Sequence, residues 1–201
     1  TEEKEAPADK RALRNRPGDP AGNKFHDKFS EAEKEITYKY HRVDVEFAGA
    51  NPNPVIIAEG QSGDHINYYT NDNALKVYHY SKVTYKNIYP GIDVEFLARP
   101  GEDKPVEYNF IVHPGADMDR IQLRYAGANE NKLVDGKLEM KLAHGKLTER
   151  IPASYWQRSK EAVSIGYRQV EGKENQITLG FVNRGKQVLK QDEALVIDPT
   201  P

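Results

Sequence analysis

Alternation of apolar and polar residues is the main pattern in this chain. Around Pro90-Gly91, apolar side chains occupy every second position on both sides, as in a sheet with one buried face. Proline presets φ for a bend and glycine tolerates positive φ, so this dipeptide predicts a tight turn between two strands. The alternating positions are Val83 and Tyr85 before the turn and Ile92, Val94 and Phe96 after it.

Similar runs recur along the chain, and no window sustains a helical stripe over three turns. Their spacing favours an antiparallel sandwich, with hairpin turns at Asp135-Gly136, His144-Gly145 and Glu171-Gly172. We therefore predict an all-β fold, an antiparallel β-sandwich with little helix. The further predicted strands are Val55–Ile57, His65–Tyr69, Leu75–Tyr80, Pro105–Val112, Ile121–Tyr125, Leu138–Leu142, Ala162–Val170, Gln176–Phe181 and Leu195–Ile197.

The first 34 residues differ from the rest. They carry eight acidic and eight basic side chains, and their only large apolar residues are Leu13, Phe25 and Phe29. Such a segment buries too little apolar surface to offset the entropy lost on ordering. The predicted organisation is a polar, flexible N-terminal arm over 1–34, disordered or extended, and a β-sandwich domain over 35–201.

A long alternating strand is predicted at the start of this domain, over Glu35–Phe47. Its apolar positions change phase near His41-Arg42 and continue as Val43, Val45 and Phe47. Since a slip of one residue moves every side chain to the other face, this change predicts a β-bulge or a strand that passes between two sheets.

One internal repetition links this strand to a later segment. Val43–Asn53 and Ile121–Asn131 match position by position as an alternating strand that runs into an aromatic-Ala-Gly-Ala-Asn turn. Gly49 and Gly127 are expected to adopt positive φ, and the asparagines to form Asx-turns. Two copies are too few for a solenoid, so the repetition predicts two similar halves of one sandwich or a strand-turn device used twice.

Composition narrows the class of protein. The 201-residue chain has 29 basic and 31 acidic residues, and its formal charge of −2 gives no field that would recruit nucleic acid or an anionic membrane. It contains no cysteine, and no run approaches the roughly 18 apolar residues of a membrane helix. We expect neither a nucleic-acid partner nor a membrane span.

No catalytic constellation is evident in the sequence. The six histidines lack metal-ligand spacing, and nucleophile-elbow, phosphate-loop and dinucleotide motifs are missing. Asp93 and Glu95 project from one strand face, as a glycosidase pair might, but such a face is also the wet side of an amphipathic strand. Asn71–Asn73 and Asp117–Asp119 offer a weak Ca²⁺ contact or simply make turns. We expect no catalytic residue, metal site or cofactor.

A tyrosine cluster is the strongest candidate binding feature. Six of the 12 tyrosines fall within 22 residues. If exposed, they would form a sugar-stacking or protein-binding surface; if buried, they would make cross-strand and edge-of-core contacts. Trp156 is expected to anchor the core. The six tyrosines are Tyr68, Tyr69, Tyr78, Tyr80, Tyr85 and Tyr89.

Several blocks of sequence carry a resemblance to a known family. They are Val45–Pro54, Asn67–Asp72, Tyr85–Glu95, Glu107–Asp117, Ile151–Tyr155 and Leu195–Pro199. In order and approximate spacing they resemble the β-rich domain near the N-terminus of bacterial secreted or cell-surface proteins with SBBP-type β-propeller repeats. In Bacteroidetes such proteins often carry gliding- or secretion-sorted C-terminal domains. The resemblance covers about Tyr40 to Pro199.

The resemblance implies an extracellular or cell-surface location and supplies no catalytic residues. Members usually begin with further strands and continue into repeats, so we expect this chain to be an internal piece of a longer protein. Loss of early strands would leave an open sheet edge, and open edges recruit strands from other chains. We expect Val43, Val45 and Phe47 to lie at that edge and to pair with the rest of the parent protein or a neighbouring subunit.

These observations predict a non-enzymatic structural or adhesive module of a larger extracellular bacterial surface protein. The alternative is a carbohydrate-binding module in which the Tyr68–Tyr89 cluster binds glycans. A hydrolase that uses Asp93 or Glu95 is a third hypothesis. The natural ligand and the oligomeric state stay open at this point.

Overall fold

The computed structural model describes residues 38–70, 73–101, 106–173, 175–186, 188–190 and 192–200. Tyr38 and Lys39 belong to a first unit of the chain, and Tyr40–Pro201 forms a second. The N-terminal arm expected over 1–34 lies outside the described residues.

Twelve strands and one short 3₁₀ helix make up the described part of the second unit, and every pairing of strands is antiparallel. The all-β antiparallel fold predicted from the alternation is therefore confirmed. The 3₁₀ helix spans Met118–Arg120, between β5 and β6. The strands are β1 Asp44–Phe47, β2 Val55–Thr70, β3 Asn73–Tyr89, β4 Ile92–Ala98, β5 Val106–Val112, β6 Leu123–Ala126, β7 Glu130–Val134, β8 Lys137–Leu142, β9 Gly145–Trp156, β10 Ile165–Lys173, β11 Gln176–Asn183 and β12 Leu195–Thr200.

The strands form two sheets that share one core. Among the described residues, one sheet has four strands in the order β1-β6-β11-β10, and the other has eight in the order β2-β3-β4-β5-β12-β9-β8-β7. Phe110 of β5 meets Phe181 of β11 edge to face, with 5.7 Å between the ring centroids. Phe47 of β1 contacts Phe110 in the same way at 5.5 Å. Trp156 is buried in this core, as predicted.

The internal repetition places its two copies side by side. β1 and β6 pair antiparallel with Glu46 opposite Arg124, and these two residues hold equivalent positions in the two copies. A local two-fold axis therefore passes between them, and Glu46 Oε2 lies 2.9 Å from Arg124 Nη1. Gly49 and Gly127, in the turns that follow, both have positive φ as expected. The repetition is realised as a strand-turn device used twice within one sheet.

Most of the predicted turns are confirmed. Pro90-Gly91 separates β3 from β4, Asp135-Gly136 separates β7 from β8, and His144 precedes the start of β9. The turn predicted at Glu171-Gly172 is wrong. Both residues lie in β10 and pair with β11, because the ladder continues past a bulge as far as Lys173.

The strand predicted over Glu35–Phe47 is shorter in the structure, since β1 begins at Asp44 and the described residues before it form no strand. His41 holds this segment by its side chain instead. The backbone N–H of Ala143 donates to Nδ1 at 3.2 Å, so Nε2 carries the ring proton and donates to the Gly127 carbonyl at 3.0 Å. The change of phase near His41-Arg42 therefore lies just before β1 begins, where the His41 side chain is hydrogen-bonded to two other segments, and not within a strand.

The largest departure from the predicted elements is in β2 and β3. Segments predicted as separate short strands join into strands of 16 and 17 residues. The polar, glycine-containing stretch Gly60–Asp64 interrupts the alternation in the sequence, but the structure accommodates it as a bulge within β2. β7 and β9 were not predicted, because charged residues weaken their alternation.

Candidate functional site

A hairpin projects from the eight-stranded sheet. The outermost pair between β3 and β4 joins Lys82 to Leu97, so the part of β3 before Lys82 extends beyond β4. In the described residues this part pairs only with β2. At ~3.3 Å per residue, the nine residues Asn73–Ser81 reach about 30 Å past the neighbouring strand. We call Gln61–Thr70 and Asn73–Ser81 the projecting hairpin.

One face of the projecting hairpin is apolar. Ile66 pairs with Val77, and Tyr68 pairs with Leu75. Residues directly opposite each other share a face, so the four side chains form a contiguous patch, which we call the apolar square. Each is 44–55% exposed. Because an isolated two-stranded hairpin is only marginally stable in water, this exposure makes the apolar square the candidate interaction site.

The opposite face of the projecting hairpin is polar and aromatic. Its side chains alternate with those of the apolar square, as the period of two requires. The ring of His65 lies 5.6 Å from that of Tyr78, and Tyr80 donates its hydroxyl to Gln61 Oε1 at 3.4 Å. Charged and amide groups keep this face hydrated. Its cross-strand pairs are His65 with Tyr78, Asn67 with Lys76 and Tyr69 with Ala74.

The six tyrosines singled out in the sequence fall into two groups. Four lie on the projecting hairpin but on opposite faces, with Tyr68 in the apolar square and Tyr69 and Tyr78 on the polar face. The other two, Tyr85 and Tyr89, pack in or against the core of the sandwich. The structure therefore does not bring the six together into one stacking surface.

β2 is also an open sheet edge. Within the described part of the chain it pairs with β3 alone, although it is 16 residues long. Natural edge strands are usually short or protected by lysine or proline. β2 contains no lysine, arginine or proline, and its carboxylates are Glu59 and Asp64. The bulge at Gly60–Asp64 is its main protection against uncontrolled pairing.

The sheet edge expected at Val43, Val45 and Phe47 is formed by β1, which is much shorter than the open edge formed by β2. β1 does lie at an edge of the four-stranded sheet, but it has only four residues. Val43 and Phe47 pack against the core, whereas Val45 is exposed. Compared with β1, β2 offers four times the length of unpaired backbone in the described residues.

Near the turn between β3 and β4, at the end of β4 away from the projecting hairpin, Asp93 is a buried carboxylate. It accepts hydrogen bonds from Lys86 Nζ at 2.7 Å, His113 Nε2 at 2.7 Å and the backbone N–H of Asn87 at 2.8 Å. Burial alone would raise the pKa of Asp93, but these donors outweigh burial and lower it. Asn87 has a φ of 52° and lies in a bulge of β3, so Asp93 fastens a bend in β3 close to the turn into β4.

The arrangement gives Asp93 and Glu95 structural contacts. All the described donors around Asp93 belong to the bend and to the adjoining strand end. Glu95 lies 3.9 Å from Lys82 Nζ, which is 2.6 Å from Glu59 on β2. These ion pairs join β2, β3 and β4 where the hairpin leaves the sheet.

A second buried carboxylate joins the two sheets. Glu149 of β9 accepts hydrogen bonds at Oε1 from the hydroxyls of Tyr108, Tyr125 and Tyr167. Tyr108 belongs to the eight-stranded sheet, and Tyr125 and Tyr167 belong to the four-stranded sheet. Burial, the largest cause, and the nearby carboxylate hold the pKa of all three phenols well above its usual value. The phenols thus stay protonated, as donors require.

A cleft of about 580 Å³ opens between β9 and the segment that leads into β10. It is lined in part by Ser154, Tyr155, Lys160 and Val163. The buried hydroxyl of Ser154 has no hydrogen-bond partner in the described residues, and the Lys160 ammonium lies 5.0 Å from the centre of the Tyr155 ring. The cleft offers a mixed polar and apolar surface.

The described residues form no metal-binding cluster and no membrane-spanning helix. No group of three or more His, Asp or Glu side chains there could hold a metal ion, and no helix there is long and apolar enough to cross a membrane. Asp117 instead caps the 3₁₀ helix by accepting the backbone N–H of Asp119 at 3.0 Å. The other turn considered for Ca²⁺, Asn71–Asn73, lies mostly outside the described residues.

Sequence reasoning did not single out Ile66, Leu75 and Val77 as site residues. The sequence did contain a pattern that includes them. Ile66 and Tyr68 are two positions apart in one predicted strand, and Leu75 and Val77 are two positions apart in another. That spacing predicts a shared face. It does not show that the strands leave the sheet.

The fold and the site define an all-β sandwich domain that carries a long projecting hairpin. A family model described as "Domain of unknown function (DUF7948)" matches residues 10–200, and the chain therefore belongs to this family. No curated protein and no solved structure matches the chain.

Proposed function

We propose that this domain is a non-enzymatic structural or adhesive module of a larger extracellular bacterial surface protein, attached to another polypeptide by the projecting hairpin. One observation carries the proposal: the apolar square is about half exposed on a hairpin that extends beyond its sheet. A structural module needs such a surface, whereas a catalyst needs a convergent set of reactive groups.

Two kinds of contact favour a polypeptide as the partner. The open edge of β2 presents backbone N–H and C=O groups, which an extended peptide matches in register. The apolar square presents four side chains without a charged group, which suits the alternate apolar side chains of a strand. A glycan would find few hydrogen-bond partners on that face.

The sequence supports the proposed extracellular location and the proposal that this domain is part of a longer bacterial surface protein. Blocks such as Val45–Pro54 and Tyr85–Glu95 resemble those of bacterial surface proteins with SBBP-type repeats. The resemblance also favours a part in attachment, since such a domain would stand within a longer chain at the cell surface.

The polar face of the projecting hairpin supports a second candidate, carbohydrate binding. Tyr69 is 78% exposed and lies next to Asn67 and Lys76, whose amide and ammonium groups could contact sugar hydroxyls. Of the six tyrosines considered as a sugar-stacking surface, only those on this face, Tyr69, Tyr78 and Tyr80, could contact one glycan together.

Binding assays with the purified chain distinguish the two candidates. The assays use immobilised chain itself, a displayed library of extended peptides with alternating apolar residues, and a glycan array. Polypeptide binding is expected, with at least a tenfold loss in the Leu75→Thr variant, because threonine keeps strand propensity while removing apolar surface. The matched control is Val188→Thr, at a position that is 89% exposed outside the hairpin.

Two results would overturn the proposal. One is specific glycan binding that is lost in Tyr69→Ala, together with no polypeptide binding. The other is polypeptide binding that responds equally to Leu75→Thr and Val188→Thr.

A further inference from the structure

We propose that the partner of the projecting hairpin is a second copy of this chain, and that the two copies pack their apolar squares against each other. This inference rests on the proposed function, because it uses the same hairpin. It adds the identity of the partner and the geometry of the contact.

The absence of charge from the apolar square is the first argument. Ile66, Tyr68, Leu75 and Val77 contribute no charged group, and the charged Lys76 projects from the opposite face. When a face that carries charge of one sign meets its own copy, like charges come together, which is unfavourable. A neutral apolar face carries no such penalty, so the apolar square is suited to self-association.

Symmetry and shape supply the second argument. A two-fold axis across the hairpin places the Tyr68–Leu75 pair of one copy over the Ile66–Val77 pair of the other. The larger pair then meets the more compact β-branched pair, which lets the side chains interdigitate as they do between packed sheets. The Tyr68 ring lies in the contact while its hydroxyl reaches water at the rim.

The area of the contact is the third argument. With 44–55% of each side chain exposed, the apolar square presents about 400 Å² per copy, or about 800 Å² in a dimer. A specific interface needs roughly 1,000 Å² in total. The rest is available from neighbouring residues on the same face of β3, beginning with His79. The contact therefore lies at the small end of specific interfaces and suits a weak, reversible dimer.

Sedimentation velocity on the whole chain between about 1 and 200 μM tests the inference over concentrations at which a weak, reversible dimer would form. We expect dimerisation that depends on concentration and is weakened at least tenfold by Leu75→Glu. The matched control is Ala74→Glu, which places the same charge one residue away on the polar face and should leave the dimer unchanged. Fluorescence of Trp156, which is buried in the sandwich, verifies that each variant is folded.

A charge pair tests the geometry. Leu75→Glu and Val77→Lys are each expected to be monomeric, because each alone buries an unpaired charge. When they are mixed, the proposed two-fold places the new carboxylate of one chain beside the new ammonium of the other, and a heterodimer should form. A mixture that stays monomeric overturns this packing.

Failure of this inference is distinguishable from failure of the proposed function. A chain that is monomeric at all concentrations but captures extended peptides through Leu75 refutes the second copy and leaves the proposed function standing. A monomer that binds no polypeptide overturns both. A dimer unaffected by Leu75→Glu shows that another surface associates and refutes the inference.

Discussion

The projecting hairpin and the sandwich are built from the same pattern with opposite outcomes. Val94 and Phe110 lie opposite each other on β4 and β5 and are fully buried, because the four-stranded sheet covers them. Ile66 and Val77 lie opposite each other on β2 and β3 and are about half exposed. Alternation shows that one face of a strand favours burial. Whether that face is buried depends on what lies above it.

The polar groups of the two regions differ in the same way. In the sandwich, the Glu149 carboxylate accepts hydrogen bonds from three tyrosine hydroxyls, one on the eight-stranded sheet and two on the four-stranded sheet. On the projecting hairpin, the polar side chains face water. Local stability should therefore be high around Glu149 and low along the hairpin, since buried and fully bonded segments open only with the whole fold.

Replacing a tyrosine by alanine in the sandwich and on the projecting hairpin should give the largest difference in the free energy of unfolding. Tyr125→Ala removes a fully buried ring and one donor to Glu149, and should lower the free energy of unfolding by about 3–5 kcal/mol. Tyr69→Ala on the projecting hairpin should change it by less than about 0.5 kcal/mol. Urea unfolding followed by the fluorescence of Trp156, the single tryptophan, measures both. Equal effects would contradict the contrast between the two regions.

Removing a carboxylate charge sharpens the comparison. Glu149→Gln keeps the size of the side chain but replaces a charged acceptor by a weaker neutral one, and should cost about 1.5–3 kcal/mol. The control is Asp64→Asn on the projecting hairpin, where the side chain is exposed and no change is expected. Unfolding in urea at pH 7 measures both variants. A neutral result for Glu149→Gln would mean that the three tyrosines bond equally well to an amide.

Two glycines allow a similar test of the backbone. Gly127 has a φ of 104°, and an added Cβ would lie 2.5 Å from the Arg42 carbonyl oxygen, so Gly127→Ala should cost about 2 kcal/mol. Gly63 on the projecting hairpin has no atom within 4 Å of such a Cβ, and Gly63→Ala should be neutral or slightly stabilising. Thermal unfolding of the two variants gives the comparison. A destabilised Gly63→Ala would show that the hairpin is packed against something.

The smallest effect is expected from acid at Asp93, beside the bulge in β3. The pKa of Asp93 is lowered in the folded chain, so its contribution is complete above its unfolded pKa of about 3.8 and is lost as the pH falls through the lower folded value. Asp93→Asn should be less stable at neutral pH and lose less stability below pH about 3.8. Urea midpoints measured down to pH about 2 check this. Parallel curves for the two proteins would refute the role given to Asp93.

Local sequence features predicted the class of fold and several turns. Alternation of period two fixes the strand conformation because it depends only on neighbouring residues. Pro90-Gly91 and Asp135-Gly136 predicted their turns because their preferred backbone angles are intrinsic to them. The strand-turn repetition was visible for the same reason, although its local two-fold was not. At Glu171-Gly172 local preference failed, because a bulge allowed the ladder to continue.

Of the four residues of the apolar square, only Tyr68 could be found in this way. The tyrosine cluster drew attention to β2 and β3, yet Tyr85 and Tyr89 belong to the core and Tyr68 faces away from Tyr69. The sequence pattern predicts which strand a residue belongs to and which residues share its face of that strand. It does not give the neighbour that covers or exposes it.

The sequence by itself determined that this protein is built from antiparallel strands, since residue spacing and turn preference act over a few residues. Only the tertiary structure decided that β2 and β3 run past β4, that Glu149 meets tyrosines from three other strands, and that Asp93 fastens a bend in β3. These features depend on register and on contacts between distant segments. A one-residue change of register would reverse every face, and no local pattern records which strand lies opposite which.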